Sequence, residues 1–137
     1  MGGAGLIVLD THALLWWVAG EHAALSPTAL RAIEAEREGG RIAVSSISAW
    51  ELATLVARGR VALSVDVGQW LELVGQIEAV EFVPVDNTIA IQSVELPGDF
   101  HKDPADRLIV ATARVLDAPL VTADEKIRAY PHLRTIW

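Results

Sequence analysis

Four acidic residues, Asp10, Glu51, Asp106 and Asp124, stand where each could work at the rim of a sheet. Asp10 directly follows the apolar run Leu6-Ile7-Val8-Leu9, and Asp124 lies just beyond Pro119-Leu120-Val121. Glu51 falls in the first two turns of a helix that follows Ile42-Ala43-Val44. Asp106 opens the helix leading into the Pro119 strand, and reaches the same rim only if the loop through His101 returns that helix start to it. Each acid alone also has a structural explanation. Asp10 can cap a helix; Ser48 with Glu51, Asp103 with Asp106 and Thr122 with Glu125 have capping-box spacing. Asp124 suits the positive end of a helix dipole. Four such acids on one rim are a rarer coincidence than any one of them. Packed without cations they repel and their pKa values rise; a hard divalent ion removes the conflict.

Carboxylate oxygens without thiolates favour Mg²⁺ or Mn²⁺ over zinc. The chain has no cysteine, and His12, His22, His101 and His132 lack a zinc-type spacing. A carboxylate-held Mg²⁺ orients water, lowers its pKa and neutralises charge on a phosphodiester. Phosphoryl transfer needs mostly positioning and electrostatics, so no nucleophilic side chain is required. No Ser-His-Asp order or Walker glycine loop suggests another chemistry. Gly2, Gly3 and Gly5 precede the first strand instead of following it, so the dinucleotide fingerprint is absent.

The elements that must position these acids alternate. Strands are expected at 6–9, 42–44, 81–85, 119–121 and 133–136. Helices are expected at 11–19, from Ser26-Pro27 to about 38, from the serines at 45, 46 and 48 to about 58, and at 66–75, 87–94, 104–116 and 124–129. Gly20 and Gly39-Gly40 stop the first two helices, and Asp103 is well placed to cap the helix from Pro104. Strand–helix alternation implies right-handed crossovers and a parallel sheet covered on both faces. The 137 residues fit one domain spanning 1–137, with no repeat or linker to divide it.

Apolar residues make up 52% of the chain and charged ones 21%, which argues against a disordered or fibrous protein. No uncharged apolar run approaches the roughly 20 residues of a membrane span. The apolar start lacks a preceding basic region, so it does not read as a signal peptide. Met1-Gly2 lacks the Ser or Thr that myristoylation expects, Leu6 standing there instead. A cytoplasmic protein with no membrane partner is expected. Eleven Lys and Arg against eighteen Asp and Glu give a net charge of −7. That balance counts against a nucleic-acid partner unless the excess acid is gathered in a metal site, where bound cations invert the field.

Four segments together resemble the PIN-domain family, and within it the VapC toxins: Leu9-Asp10-Thr11-His12-Ala13-Leu14-Leu15-Trp16-Trp17, Ser45-Ser46-Ile47-Ser48-Ala49-Trp50-Glu51-Leu52, Phe100-His101-Lys102-Asp103-Pro104-Ala105-Asp106-Arg107-Leu108, and Leu120-Val121-Thr122-Ala123-Asp124. They occur in the family's order and cover essentially the whole chain. The resemblance implies a three-layer α/β/α sandwich around a short parallel sheet and an Mg²⁺- or Mn²⁺-dependent endoribonuclease. It also implies a homodimer restrained by a cognate VapB-type antitoxin. Asp10, Glu51, Asp106 and Asp124 match the family's acidic quartet. Asp103 matches a frequent further acid, read first as the helix cap, and Thr11 and Thr122 match hydroxyl positions beside the acids.

Lys102 and Arg107 are candidate phosphate contacts, with Arg58, Arg60 and Arg128 as further cations, against the plainer reading of solvated charge. Trp16 and Trp17 are expected in the core or a dimer interface, and Trp50 is expected to point away from Glu51. A dehalogenase-type phosphatase needs an Asp where His12 stands, and a receiver domain an Asp ending a middle strand where Ser45 or Pro84 follows. Two alternatives stay open: a catalytically silent PIN-like dimerisation or binding module, and a DNA-directed nuclease of the same architecture.

Overall fold

The computed structural model describes residues 5–137; the Met1-Gly2 pair and Gly3 lie outside the described residues. The first strand, β1 (Leu6–Leu9), is apolar at every position because both of its faces are covered. Ile7 and Leu9 pack on one side with residues of α1 (Thr11–Val18), α2 (Pro27–Arg37) and α4 (Val67–Gly75). Val8, fully buried, packs on the other with residues of α5 (Asn87–Val94) and α6 (Pro104–Val115). Cutting Leu9 to Ala in such a core would cost about 2–5 kcal/mol.

β2 (Arg41–Ser45), β3 (Val80–Val83), β4 (Leu120–Val121) and β5 (Thr135–Ile136) complete a five-stranded sheet in the order β3-β2-β1-β4-β5, every pair parallel. The chain steps outward from β1 to β2 and β3, then returns to the far side of β1 for β4. The strand order therefore reverses beside β1, and in open α/β sheets ligands bind beyond the carboxyl ends at such a reversal. Helices on both faces give the expected three-layer α/β/α sandwich, α3 (Ile47–Ala57) following β2 and α7 (Glu125–Arg128) following β4.

Several strand boundaries differ from the sequence expectation: β2 is one residue longer at each end, β3 begins at Val80, and β5 is only Thr135–Ile136. β3 ends at Val83 instead of 85, because Pro84 has no N–H for the ladder and its carbonyl accepts from Asp86, which turns to cap α5 at Ile89 N–H. β4 begins at Leu120, although the Pro119 carbonyl still accepts from Val8 N–H at 2.9 Å. A 3-10 turn at His22–Ala24, not expected from the sequence, joins α1 to α2.

Candidate active site

Asp10 ends β1 and caps α1. Its Oδ1 accepts from the Ala13 N–H at 2.8 Å, and its own N–H donates to the Val121 carbonyl at 3.2 Å, which ties the end of β1 to β4. Asp124 repeats the device after β4: Oδ1 accepts from the N–H groups of Lys126 and Ile127 at 2.8 and 3.2 Å. Capping and site geometry are thus served by the same side chains, since a cap fixes the carboxylate at the strand end. The expected Thr122–Glu125 box does not form; Asp124 is the cap, and Thr122 Oγ1 accepts from the Asp124 N–H at 3.1 Å.

Glu51 is held from another helix. Thr11 Oγ1 donates to Glu51 Oε1 at 2.5 Å, and Ser48 Oγ lies 2.8 Å from the same hydroxyl. A threonine hydroxyl has one proton. With that proton on the carboxylate, Ser48 must be the donor to Thr11. The expected Ser48–Glu51 capping box is therefore corrected: α3 starts at Ile47, Ser48 lies inside its first turn, and its buried hydroxyl supports Thr11.

The loop through His101 does return Asp106 to the rim. Asp103 caps α6 by accepting from Asp106 N–H at 3.0 Å, and His101 Nε2 lies 3.1 Å from Asp106 Oδ2. Arg107 holds the loop in place. Its guanidinium donates to the carbonyls of Ser93, Val94, Phe100 and His101 at 2.8–3.3 Å and lies 6.0 Å from the Phe100 ring. Arg107, expected as a phosphate contact, here gives four hydrogen bonds to backbone carbonyls. Lys102 is exposed and does not line the cavity formed by the acids.

That cavity, about 360 Å³, is lined by all four acids and Thr11, with His12 and Trp16 on the α1 side and Ile109 and Ile127 beneath. Trp16 is a wall residue as well as a packing one: its ring lies 5.5 Å from His12 and 6.1 Å from Trp137. The sequence expectation gave Trp16 and Trp17 to the core or a dimer interface and left out the i,i+4 pairing that sets Trp16 beside His12 at the rim. Ser48 was also missed as a support, because its partner Thr11 is far off in sequence.

The electrostatics are those of uncompensated acid. Burial raises the Asp10 carboxyl above the usual range, against hydrogen bonds from Thr122 and Ala13 that lower it. Burial raises Glu51 too, opposed by Thr11 and reinforced by Asp103. Asp106 is pushed up to about 7 by burial, then by the charges of Asp103, Asp124, Glu51 and Asp10. Burial is the first cause for all three raised carboxyls, neighbouring acids add to it, and His12 offsets Asp10 and Glu51 only in part. Among the described residues no three His, Cys, Asp or Glu side chains stand close enough together to hold one ion by themselves. An open cavity with four carboxylates in its lining suits a hard cation that keeps part of its water, as Mg²⁺ does.

Residues 7–133 match the family model described as PIN domain. The chain is 41% identical to Ribonuclease VapC22 of Mycobacterium tuberculosis over 133 residues, 96% of this chain and 98% of that protein. Among solved structures, VapBC2 of Rickettsia felis bound to a promoter DNA fragment aligns with a TM-score of 0.67 at 20% identity, covering 95% and 96% of the two chains. DNA-bound VapBC of Salmonella typhimurium gives 0.66 at 20% identity over 98% and 97%. Likenesses at that identity speak for the fold alone.

Proposed function

The chain belongs to the PIN-domain family, and from that premise we propose that it is a metal-dependent endoribonuclease, the toxin of a VapBC-type pair. The observation that carries this reading is the convergence of Asp10, Glu51, Asp106 and Asp124 on one cavity at the sheet reversal. The near-full-length relative named as a ribonuclease supports RNA as the substrate.

Asp10, Glu51, Asp106 and Asp124 would hold Mg²⁺ or Mn²⁺, directly or through water. When bound, the ion lowers the pKa of water and neutralises charge on the phosphodiester. The chain's own work is orientation. Ala13 N–H and Thr122 fix Asp10, Thr11 and Ser48 fix Glu51, and the N–H groups of Lys126 and Ile127 fix Asp124. His101 stands against Asp106 Oδ2, where it limits how that carboxylate can turn. Preset carboxylates avoid reorganisation during reaction, which is the larger share of what such a site contributes.

A VapB-type antitoxin is the proposed partner. A basic side chain, above all an arginine that pairs with carboxylates bidentately, is the group this cavity would accept from an inhibitor. A homodimer is proposed from the family; Ile91 and Val94, 54% and 77% exposed on α5, are apolar surface available to a second copy. Among the described residues no helix is long and apolar enough to cross a membrane.

The test uses purified protein free of antitoxin, given RNA or DNA of the same sequence with Mn²⁺, and with EDTA as control. Cleavage of RNA alone, abolished by EDTA, is expected. Cleavage of DNA in preference to RNA would turn the reading to a DNA-directed nuclease. No cleavage of either by protein that binds no Mn²⁺ would turn it to a silent binding module.

A further inference from the structure

Beside the acid cavity a second groove of about 680 Å³ runs along the outer face of α3, and His12 and Glu51 border both. Ile47, Trp50, Thr54 and Arg58 recur three or four residues apart, so they form one stripe along this wall. Trp50 is 61% exposed, an unusual state for the largest apolar side chain of a helix whose Leu52 is fully buried. At the far end Gly59, with φ +69°, reverses the chain and sets Arg60 beside Arg58. Among the described residues, neither arginine has a carboxylate within ion-pair distance, whereas Arg37, Arg41 and Arg134 are all paired. On the opposite side of the acids, Lys126 borders a third opening shared with His101, Asp106 and Asp124. Along the α3 groove Glu51 and Asp103 lie with the acids, Arg58 and Arg60 stand at the other end of the stripe, and Trp50 is the aromatic face between. The Lys126 opening is itself mostly acidic, with Asp103, Asp106, Asp124 and Glu125.

We propose that this groove is the path of single-stranded RNA, with an unpaired base stacked on Trp50 and the adjoining phosphates on Arg58 and Arg60. The inference rests on the ribonuclease reading and adds to it the strandedness of the substrate and the residues that select it. A polymer whose scissile phosphate lies at the carboxylates must leave the cavity in both directions, and the α3 groove adjoins it, sharing His12 and Glu51. From Trp50 to Arg58 the helix rises roughly 12 Å, enough for a few nucleotides. Stacking needs a base outside a duplex and tolerates any sequence, while the arginines supply the phosphate attraction that a chain of net charge −7 otherwise lacks. A basic inhibitory peptide would meet like charge at Arg58 and Arg60, so charge complementarity favours the anionic strand.

The test measures KM, kcat and salt dependence on an RNA that the wild type cleaves, for Trp50→Ala, Trp50→Phe and Arg58→Ala/Arg60→Ala. Thermal melting checks each fold, and all three side chains are exposed. Trp50→Ala should raise KM about tenfold or more with kcat little changed, and Trp50→Phe should recover most of the loss. The double arginine variant should flatten the log–log salt slope by about 0.7 for each phosphate contact removed. A fully paired duplex of the same sequence should compete poorly. If the wild type cleaves RNA but KM and salt slope are unchanged in every variant, the path is overturned and the groove becomes a protein-docking face. A wild type that cleaves no RNA overturns the ribonuclease reading itself.

Discussion

Thr11 gives its one hydroxyl proton to Glu51 and takes a hydrogen bond from Ser48, so a two-link chain fixes the carboxylate that comes from α3. Thr11→Val removes the link while keeping the shape. Residues that orient metal-holding carboxylates typically cost 10–100-fold when lost. We expect Thr11→Val to lower Mn²⁺ affinity or cleavage by about that range, and Ser48→Ala by less, with both proteins folded. Unchanged affinity and rate in Thr11→Val would show that Glu51 needs no orientation. Asp10, Glu51 and Asp124 were legible in the sequence because each follows an apolar strand run, whereas Asp106 depended on the course of the His101 loop and was carried by the family resemblance. The Thr11–Ser48 pair was not: β1 and β2 must first pair in register, Leu9 opposite Val44, before their following helices meet. Arg107 misled for a related reason. Its neighbour is an acid, but its partners are carbonyls of a loop whose course no local pattern specifies.

At the scale of elements, the start of α6 is the part of the site most dependent on its surroundings. Asp103 caps it, and Arg107 ties it to the end of α5 and the returning loop. Asp103→Ala should cost about 1 kcal/mol in stability, the usual worth of a side-chain cap. Arg107→Ala should cost more, about 2–4 kcal/mol, because several carbonyls lose a charged donor. Arg107→Lys should rescue little, since an ammonium cannot reproduce the fork. Chemical denaturation measures all three; an Arg107→Lys protein as stable as the wild type would contradict the clamp. Elements with strong local signals were read well: Ser26 and Asp103 cap their helices, and Pro27 and Pro104 open theirs. The edges of β3 and β4 were not, since strand ends are decided by which neighbour supplies hydrogen bonds.

Over the whole molecule the acid cavity opposes folding unless a cation fills it. The Asp106 carboxyl is pushed up to about 7 from its ordinary 3.8, chiefly by burial and then by the neighbouring acids. Between those values the folded protein keeps a proton that the unfolded chain has released. Its contribution is therefore fully present below about pH 4 and is lost as pH rises through 7. Asp10 and Glu51 are raised as well and act with the same sign. For Asp106 alone the effect is at most about 4 kcal/mol, reduced by water in the open cavity. Metal-free protein should melt several degrees lower at pH 8 than at pH 5, and Asp106→Asn should flatten that slope. A metal-free Tm that rises from pH 5 to pH 8 would contradict the electrostatics of the cavity. The central claim is that these carboxylates form one cation site, and calorimetric titration with Mn²⁺ tests it most directly. The account predicts saturable binding by the wild type, weakened at least tenfold in folded Asp106→Asn; equal binding by the two, or none by either, would contradict it.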